Sequence, residues 1–102
     1  MAKEIILYNL APHMTDEEFQ EYVDKEKGPT IDSLPSVRKY ELVKITASAS
    51  GEIPYKYIGI LHLTSLEDFQ TKDAKSEPYQ AFRAKFGPMV SDLHVLFGEE
   101  IH

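Results

Sequence analysis

His62 and His94 are the side chains best suited to chemistry in this sequence. An imidazole changes charge near neutral pH, so it can pass a proton in either direction or orient a polar ligand atom. His62 lies in Tyr55–Thr64 (YKYIGILHLT), which reads as a strand. Its side chains alternate between two faces. One face carries Tyr55, Tyr57, Gly59, Leu61 and Leu63; the other carries Lys56, Ile58, Ile60, His62 and Thr64. His62 thus shares a face with Ile58 and Ile60, and a histidine in an apolar cavity is a candidate for proton transfer or ligand orientation. The bland alternative is a histidine satisfied by one hydrogen bond in a subunit interface. His94 faces opposite to Leu93, Val95 and Phe97, and enters the same cavity or sits at a dimer edge. Tyr8 on the first strand and Tyr40 on the second each offer an apolar ring and one hydroxyl, and either line that cavity or fill the core or interface. Asn9 orients a ligand or caps a loop, and the cap is favoured.

Other chemistries find no support. There is no cysteine, which excludes disulfides, thiolate metal sites and thiol nucleophiles. No His/Asp/Glu cluster has metal-ligand spacing. No glycine-rich phosphate loop and no G-x-S-x-G element occurs. Asp16–Glu18 reads as the start of a helix, not as paired catalytic carboxylates. His13 and His102 are read as solvated. The net charge of −6 disfavours a phosphate backbone as partner. No run of apolar residues approaches membrane-spanning length. Lys3 and Glu4 interrupt the first apolar segment, so no leader is predicted, and the expected location is the cytoplasm.

The 102 residues amount to one domain spanning 1–102, and the hydrophobic fraction of 42% is that of a globular chain. Glu4–Leu10 is a buried strand. Thr15 with Glu18 forms a capping box for a helix carrying Phe19, Tyr22, Val23 and Glu26 at helical spacing, which Gly28-Pro29 breaks or kinks. Val37–Ala47 and Tyr55–Thr64 are strands. Ser65 caps a short helix with Asp68 in its first turn. Thr71–Glu77 is polar and expected to fray. Pro78 opens a helix bearing Tyr79, Phe82 and Phe86, which Gly87-Pro88 ends, and Ser91–Glu99 is the last strand. The order βαββαβ predicts an α+β, ferredoxin-like domain: a four-stranded antiparallel sheet, first and third strands central, two helices on one face. Both faces of the first and third strands are apolar. A sheet with one wet face should alternate apolar with polar. The uncovered face is therefore expected to be buried by a second copy, giving a homodimer.

These residues resemble a known superfamily. The stretch Phe19 to Tyr40 (FQEYVDKEKGPTIDSLPSVRKY) is similar to the EthD-like branch of the dimeric α+β barrels, with an aromatic helix face, a His-x-Pro step and a Leu-Pro-Gly-Val turn into a strand with a tyrosine. Phe19, Tyr22, Pro29, Leu34-Pro35, Val37 and Tyr40 keep that register. The stretch GILHLTSLEDF and the closing segment resemble the same branch. Lys27 stands where many relatives carry the histidine of the step, so a role resting on an imidazole there does not carry over. Ser36 replaces the turn glycine. The REDY-like proteins of red tripyrrole pigment clusters are similar in length and layout.

The resemblance implies that Ile58, Ile60 and His62 point into the barrel and that Gly59 admits a helix on the other side. It implies a small-molecule protein of a biosynthetic or catabolic pathway, acting on an apolar or aromatic substrate, with His62 as catalytic group and Tyr8, Tyr40, Ile58, Ile60 and His94 as ligand-binding residues. No metal and no bound cofactor are expected. A non-catalytic accessory or carrier protein of prodiginine-type pigment biosynthesis, and a structural dimer with a closed barrel, are the alternatives.

Overall fold

The computed structural model describes residues 1–102. Strand β1 (Ala2–Leu10) leads through a Thr15–Glu18 capping box into α1 (Asp16–Tyr22). A π-helical turn, Val23–Lys27, joins α1 to α2 (Gly28–Asp32) without a break. Strands β2 (Val37–Lys44) and β3 (Tyr57–Leu63) follow. Then come α3 (Leu66–Thr71), a single 3₁₀ turn (Asp73–Lys75), α4 (Glu77–Phe86), a second such turn (Gly87–Met89) and β4 (Val90–Glu99). The antiparallel sheet runs β2-β3-β1-β4, so the first and third strands are central. No helix is long and apolar enough to cross a membrane.

Register decides which side chains share a face. Ile6 lies opposite Gly59 and Val95, whereas Ile5 lies opposite Ile60 and Leu96. The helices cover the face bearing Glu4, Ile6, Tyr8, Leu61 and Leu63. Ile31, Leu34 and Phe69 pack on Leu61 and Leu63 in one buried cluster. Tyr8, Phe19, Tyr22, Tyr57 and Phe86 form the second. There Tyr8 stacks on Tyr57 at 5.7 Å and meets Phe86 edge-on at 5.2 Å, each such pair adding roughly 1 kcal/mol beyond its buried area. The other face carries Ile5, Leu7, Ile58, Ile60 and His62 and has no helix over it.

Several local expectations change. Gly59 does not admit a helix: a side chain there would meet Tyr40, Ile6 and Leu42 of the sheet at ordinary contact distance. Asn9 is a cap. Its amide donates to the Pro54 carbonyl at 2.9 Å and its oxygen accepts from Lys56 N–H at 2.8 Å. A bulge follows on β4, where Asp92 takes a positive φ of 54°. Asp16 does more than start α1, since its carboxylate takes Lys44 at 3.1 Å, Lys56 at 2.8 Å and the Tyr57 hydroxyl at 2.7 Å. These donors hold its pKa far below the usual carboxylate range. The segment Thr71–Glu77 does not fray. Asp73 is buried, accepting from Ser36 N–H at 2.7 Å and from the Ser36 hydroxyl. This carboxylate ties the 3₁₀ turn to the entry of β2, which explains the serine in that turn.

Because both donors face a buried carboxylate, Asp73→Ala is expected to destabilise the fold by about 2–3 kcal/mol. Thr15→Ala, which loses only a surface cap, should cost about 1 kcal/mol. Urea denaturation of the two variants measures both, and equal losses would contradict the buried role of Asp73.

Candidate functional site

The first helical arm carries one residue too many for a regular α-helix. Pro29 has no N–H to donate, and its ring would crowd the carbonyl four residues back. The chain widens instead, and Gly28 N–H bonds the Val23 carbonyl five residues back. A β-carbon on Gly28 would sit 2.9 Å from that oxygen, so only glycine fits. The extra residue slips the inward register by one. Regular spacing from Phe19, Tyr22 and Val23 points to Glu26, but Glu26 lies outside, paired with Lys85 at 2.6 Å. Lys27 turns inward, followed by Ile31, and is 2% exposed.

Inside, Lys27 faces a cavity of about 290 Å³ between the sheet and the helices. Of its 15 lining residues 11 are hydrophobic, among them Ile31, Phe69, Phe82, Phe86 and Val95, so its surface suits an apolar guest. Leu93, Val95 and Phe97 on edge strand β4 form a partly exposed wall. The polar lining is Glu4, Lys27, Gln70 and Arg83. Lys27 Nζ lies 2.5 Å from the Tyr40 hydroxyl and sits over the rings of Tyr40 (4.5 Å), Phe86 (5.0 Å) and Phe82 (5.2 Å). It forms no salt bridge. Burial pushes its pKa down to about 7, against a smaller opposing pull from Glu4. Glu4 is 2% exposed and its Oε2 has no hydrogen-bond partner. Burial raises its pKa to about 7, with Lys27 and Arg83 acting the other way. The buried Tyr8 hydroxyl is also unpartnered, and burial raises the phenols of both Tyr8 and Tyr40. Unsatisfied buried polar atoms are rare in folded chains and ask for a partner.

The residues predicted from sequence do not gather in one place. Tyr8 and Tyr40 lie on the helix side of the sheet, and His62, Ile58, Ile60 and His94 on the open side. Tyr8 and Tyr40 therefore cannot share a cavity with His62. Tyr8 is core, and Tyr40 reaches the helix-side cavity only through Lys27. Strand pairing sets the division: Tyr40 lies opposite Leu61 and Tyr8 opposite Tyr57, both buried beneath helices. On the open side His62 Nε2 and Glu41 Oε1 are 2.5 Å apart, and this contact lowers the Glu41 pKa. His94 meets the edge of Tyr55 at 5.5 Å. Lys27 and Glu4 were missed as site residues. The signal for Lys27 was its place in the Gly-Pro step; that for Glu4 was its period-two spacing with Ile6 and Tyr8.

Between pH 7 and 10.5 an unfolded Lys27 keeps the proton that the folded one has lost, so stability should rise with pH across that window. The opposite holds for Glu4, which folded keeps a proton between 4.5 and 7 that the unfolded chain has released; stability should fall there as pH rises. Each limb has a slope on the order of 1 kcal/mol per pH unit. Lys27→Met should abolish the alkaline limb and Glu4→Gln the acid one, in urea midpoints measured along a pH series. A wild-type profile superimposable on both variants would show neither group perturbed.

Compared with known proteins, residues 2–101 match the family model of the REDY-like protein HapK. HapK from Hahella chejuensis superposes with a TM-score of 0.80 at 23% identity, covering 99% of this chain and 93% of its own. An EthD family protein from Bacillus halodurans gives 0.76 at 21% identity, with 99% and 100% covered. A dimeric ferredoxin-like protein of unknown function from Thermobifida fusca gives 0.77 at 16% identity, with 97% and 90% covered. No curated protein matches the chain.

Proposed function

The chain belongs to the REDY-like HapK family, and we propose that within this ferredoxin-like fold it binds a small apolar or aromatic molecule in the cavity between the sheet and the helices. The observation that carries this reading is the combination of an apolar cavity with a buried amine and a buried carboxyl with an unpartnered oxygen in its wall. Neither group is in a salt bridge, and burying each is costly. Such a cost persists where a ligand uses the groups. The aromatic and aliphatic wall would hold the body of the ligand, and Lys27, Glu4 and Arg83 would orient its polar atom.

The protein would work as a homodimer. Ile5, Leu7, Ile58, Ile60 and Leu96 make the uncovered face apolar, with Leu96 51% exposed, and a contiguous apolar face of this kind marks an interaction surface. The related protein from Thermobifida fusca is described as dimeric. A second copy packed face to face would close a barrel and bury His62.

A second reading keeps His62 as the working group, inside that barrel. It is favoured by the 2.5 Å contact to Glu41, which would orient an imidazole acting on a ligand held by Ile58, Ile60 and His94. Handing over a bound molecule and transforming it both fit either cavity, so an accessory or carrier role and an enzymatic one are separated by turnover alone.

Two tryptophans tell the cavities apart. Val95→Trp would fill the helix-side cavity from its exposed wall, and Ile58→Trp would obstruct the open face. With 2-naphthol as fluorescent probe, Val95→Trp is expected to weaken binding by at least about tenfold. Ile58→Trp should leave the probe affinity unchanged and shift the dimer toward monomer in native mass spectra. The reverse pattern would move the site to the barrel interior and restore His62.

A further inference from the structure

Lys27 is the one lysine without an aqueous or carboxylate environment. Lys25, Lys39, Lys44, Lys56, Lys72 and Lys85 all pair with acids near the surface, as does Lys3. Lys27 Nζ has a single hydrogen-bond partner, the Tyr40 hydroxyl, and lies among three aromatic rings against an apolar cavity. A structural ammonium would be expected beside a carboxylate, and none stands within salt-bridge distance. An amine in such surroundings is held unprotonated, which leaves its lone pair free to attack. The downward displacement of its pKa by burial agrees.

We propose that Lys27 forms an imine with the carbonyl group of an apolar aldehyde or ketone bound in this cavity, the Tyr40 hydroxyl relaying the protons. The proposal rests on the cavity reading above and adds the substrate class. In the step, the Nζ lone pair bonds to the carbonyl carbon and the C=O π electrons move to oxygen. Tyr40 passes that oxygen one proton and takes one from the new ammonium, ending unchanged. The carbinolamine oxygen then takes a second proton, from the Glu4 carboxyl, and leaves as water while the nitrogen lone pair closes the C=N bond; the N–H proton of the resulting iminium returns to the Glu4 carboxylate. Amine and carbonyl become imine and water, with nothing oxidised or reduced. The wall suits this sequence. Its rings surround Lys27 Nζ and limit the approach of water, which would otherwise hydrolyse the imine. Glu4, on central strand β1 in the same cavity wall and inclined by burial to hold a proton, is the donor for the departing oxygen. An arginine at position 27 could not do this chemistry, since a guanidinium stays charged.

The test is reductive trapping on the wild-type protein. The chain is incubated near neutral pH with benzaldehyde and sodium cyanoborohydride, and the sites of benzylation are located by peptide mass mapping. Lys27 is expected to be labelled at least about tenfold faster than exposed Lys72 or Lys75, and excess 2-naphthol should suppress its labelling alone. Tyr40→Phe should slow labelling of Lys27 by about tenfold without moving the label elsewhere. Lys27→Met should lose the fast label; should that variant fail to fold, the wild-type map still decides. Labelling of Lys27 no faster than Lys72, with 2-naphthol still bound, would overturn the imine and leave the cavity reading intact. Loss of both would overturn the two together. Fast labelling that Tyr40→Phe does not slow would overturn the relay.

Discussion

The single extra residue that Gly28 and Pro29 force into the first helical arm governs what this molecule can do. A regular helix would turn Glu26 inward and leave Lys27 in solvent. The π turn exchanges them. It stands only because glycine at 28 has no β-carbon, which would lie 2.9 Å from the Val23 carbonyl oxygen, and because proline at 29 gives no hydrogen bond to lose. A backbone irregularity of this type costs stability unless something is gained from the side chain it re-aims. Here that is an amine placed among three rings.

The second constraint is the two-sided sheet. Helices occupy one face, so every strand residue is committed either to the helix-side cavity or to the open face. No side chain serves both. His62 with Glu41, and Lys27 with Glu4 and Tyr40, are therefore separate chemical centres divided by a strand's thickness. The first lies on the face that no helix of this chain covers. The second is complete within one chain.

Element order, sheet order and the division of β3 into two faces were legible in the sequence, because capping boxes, proline positions and period-two alternation are local signals. The site was legible only in part. Alternation says which residues share a face but not which face a helix will cover. On β1 both sets, Ile5/Leu7 and Ile6/Tyr8, are apolar, so Tyr8 was free to be assigned to the wrong side. On β2 the pairing slips between Val37 and Lys39, which hides the side to which Tyr40 belongs. That Lys27 faces inward is hidden because helical periodicity assumes 3.6 residues per turn, and the π turn breaks that assumption just before it. Thr71–Glu77 looked unstructured because its anchor is a long-range contact, Asp73 to Ser36, that composition cannot show.

Glu4 and Lys27 pose one remaining question of charge. A protonated carboxyl beside a neutral amine holds the same number of protons as a carboxylate beside an ammonium, so pH alone does not choose between them. Environment does. The ion pair needs close contact and full hydrogen bonding to offset the loss of water. Glu4 Oε2 has no partner, and no carboxylate lies within salt-bridge distance of Nζ. With the pair neither in contact nor solvated, the neutral form is the cheaper one in the empty cavity. A ligand carrying its own negative oxygen would reverse the balance by supplying the missing counter-charge at Lys27. An uncharged carbonyl would meet a free lone pair instead. The same two side chains would thus present a different cavity to an acid than to an aldehyde, the chemistry of the guest deciding which form it meets.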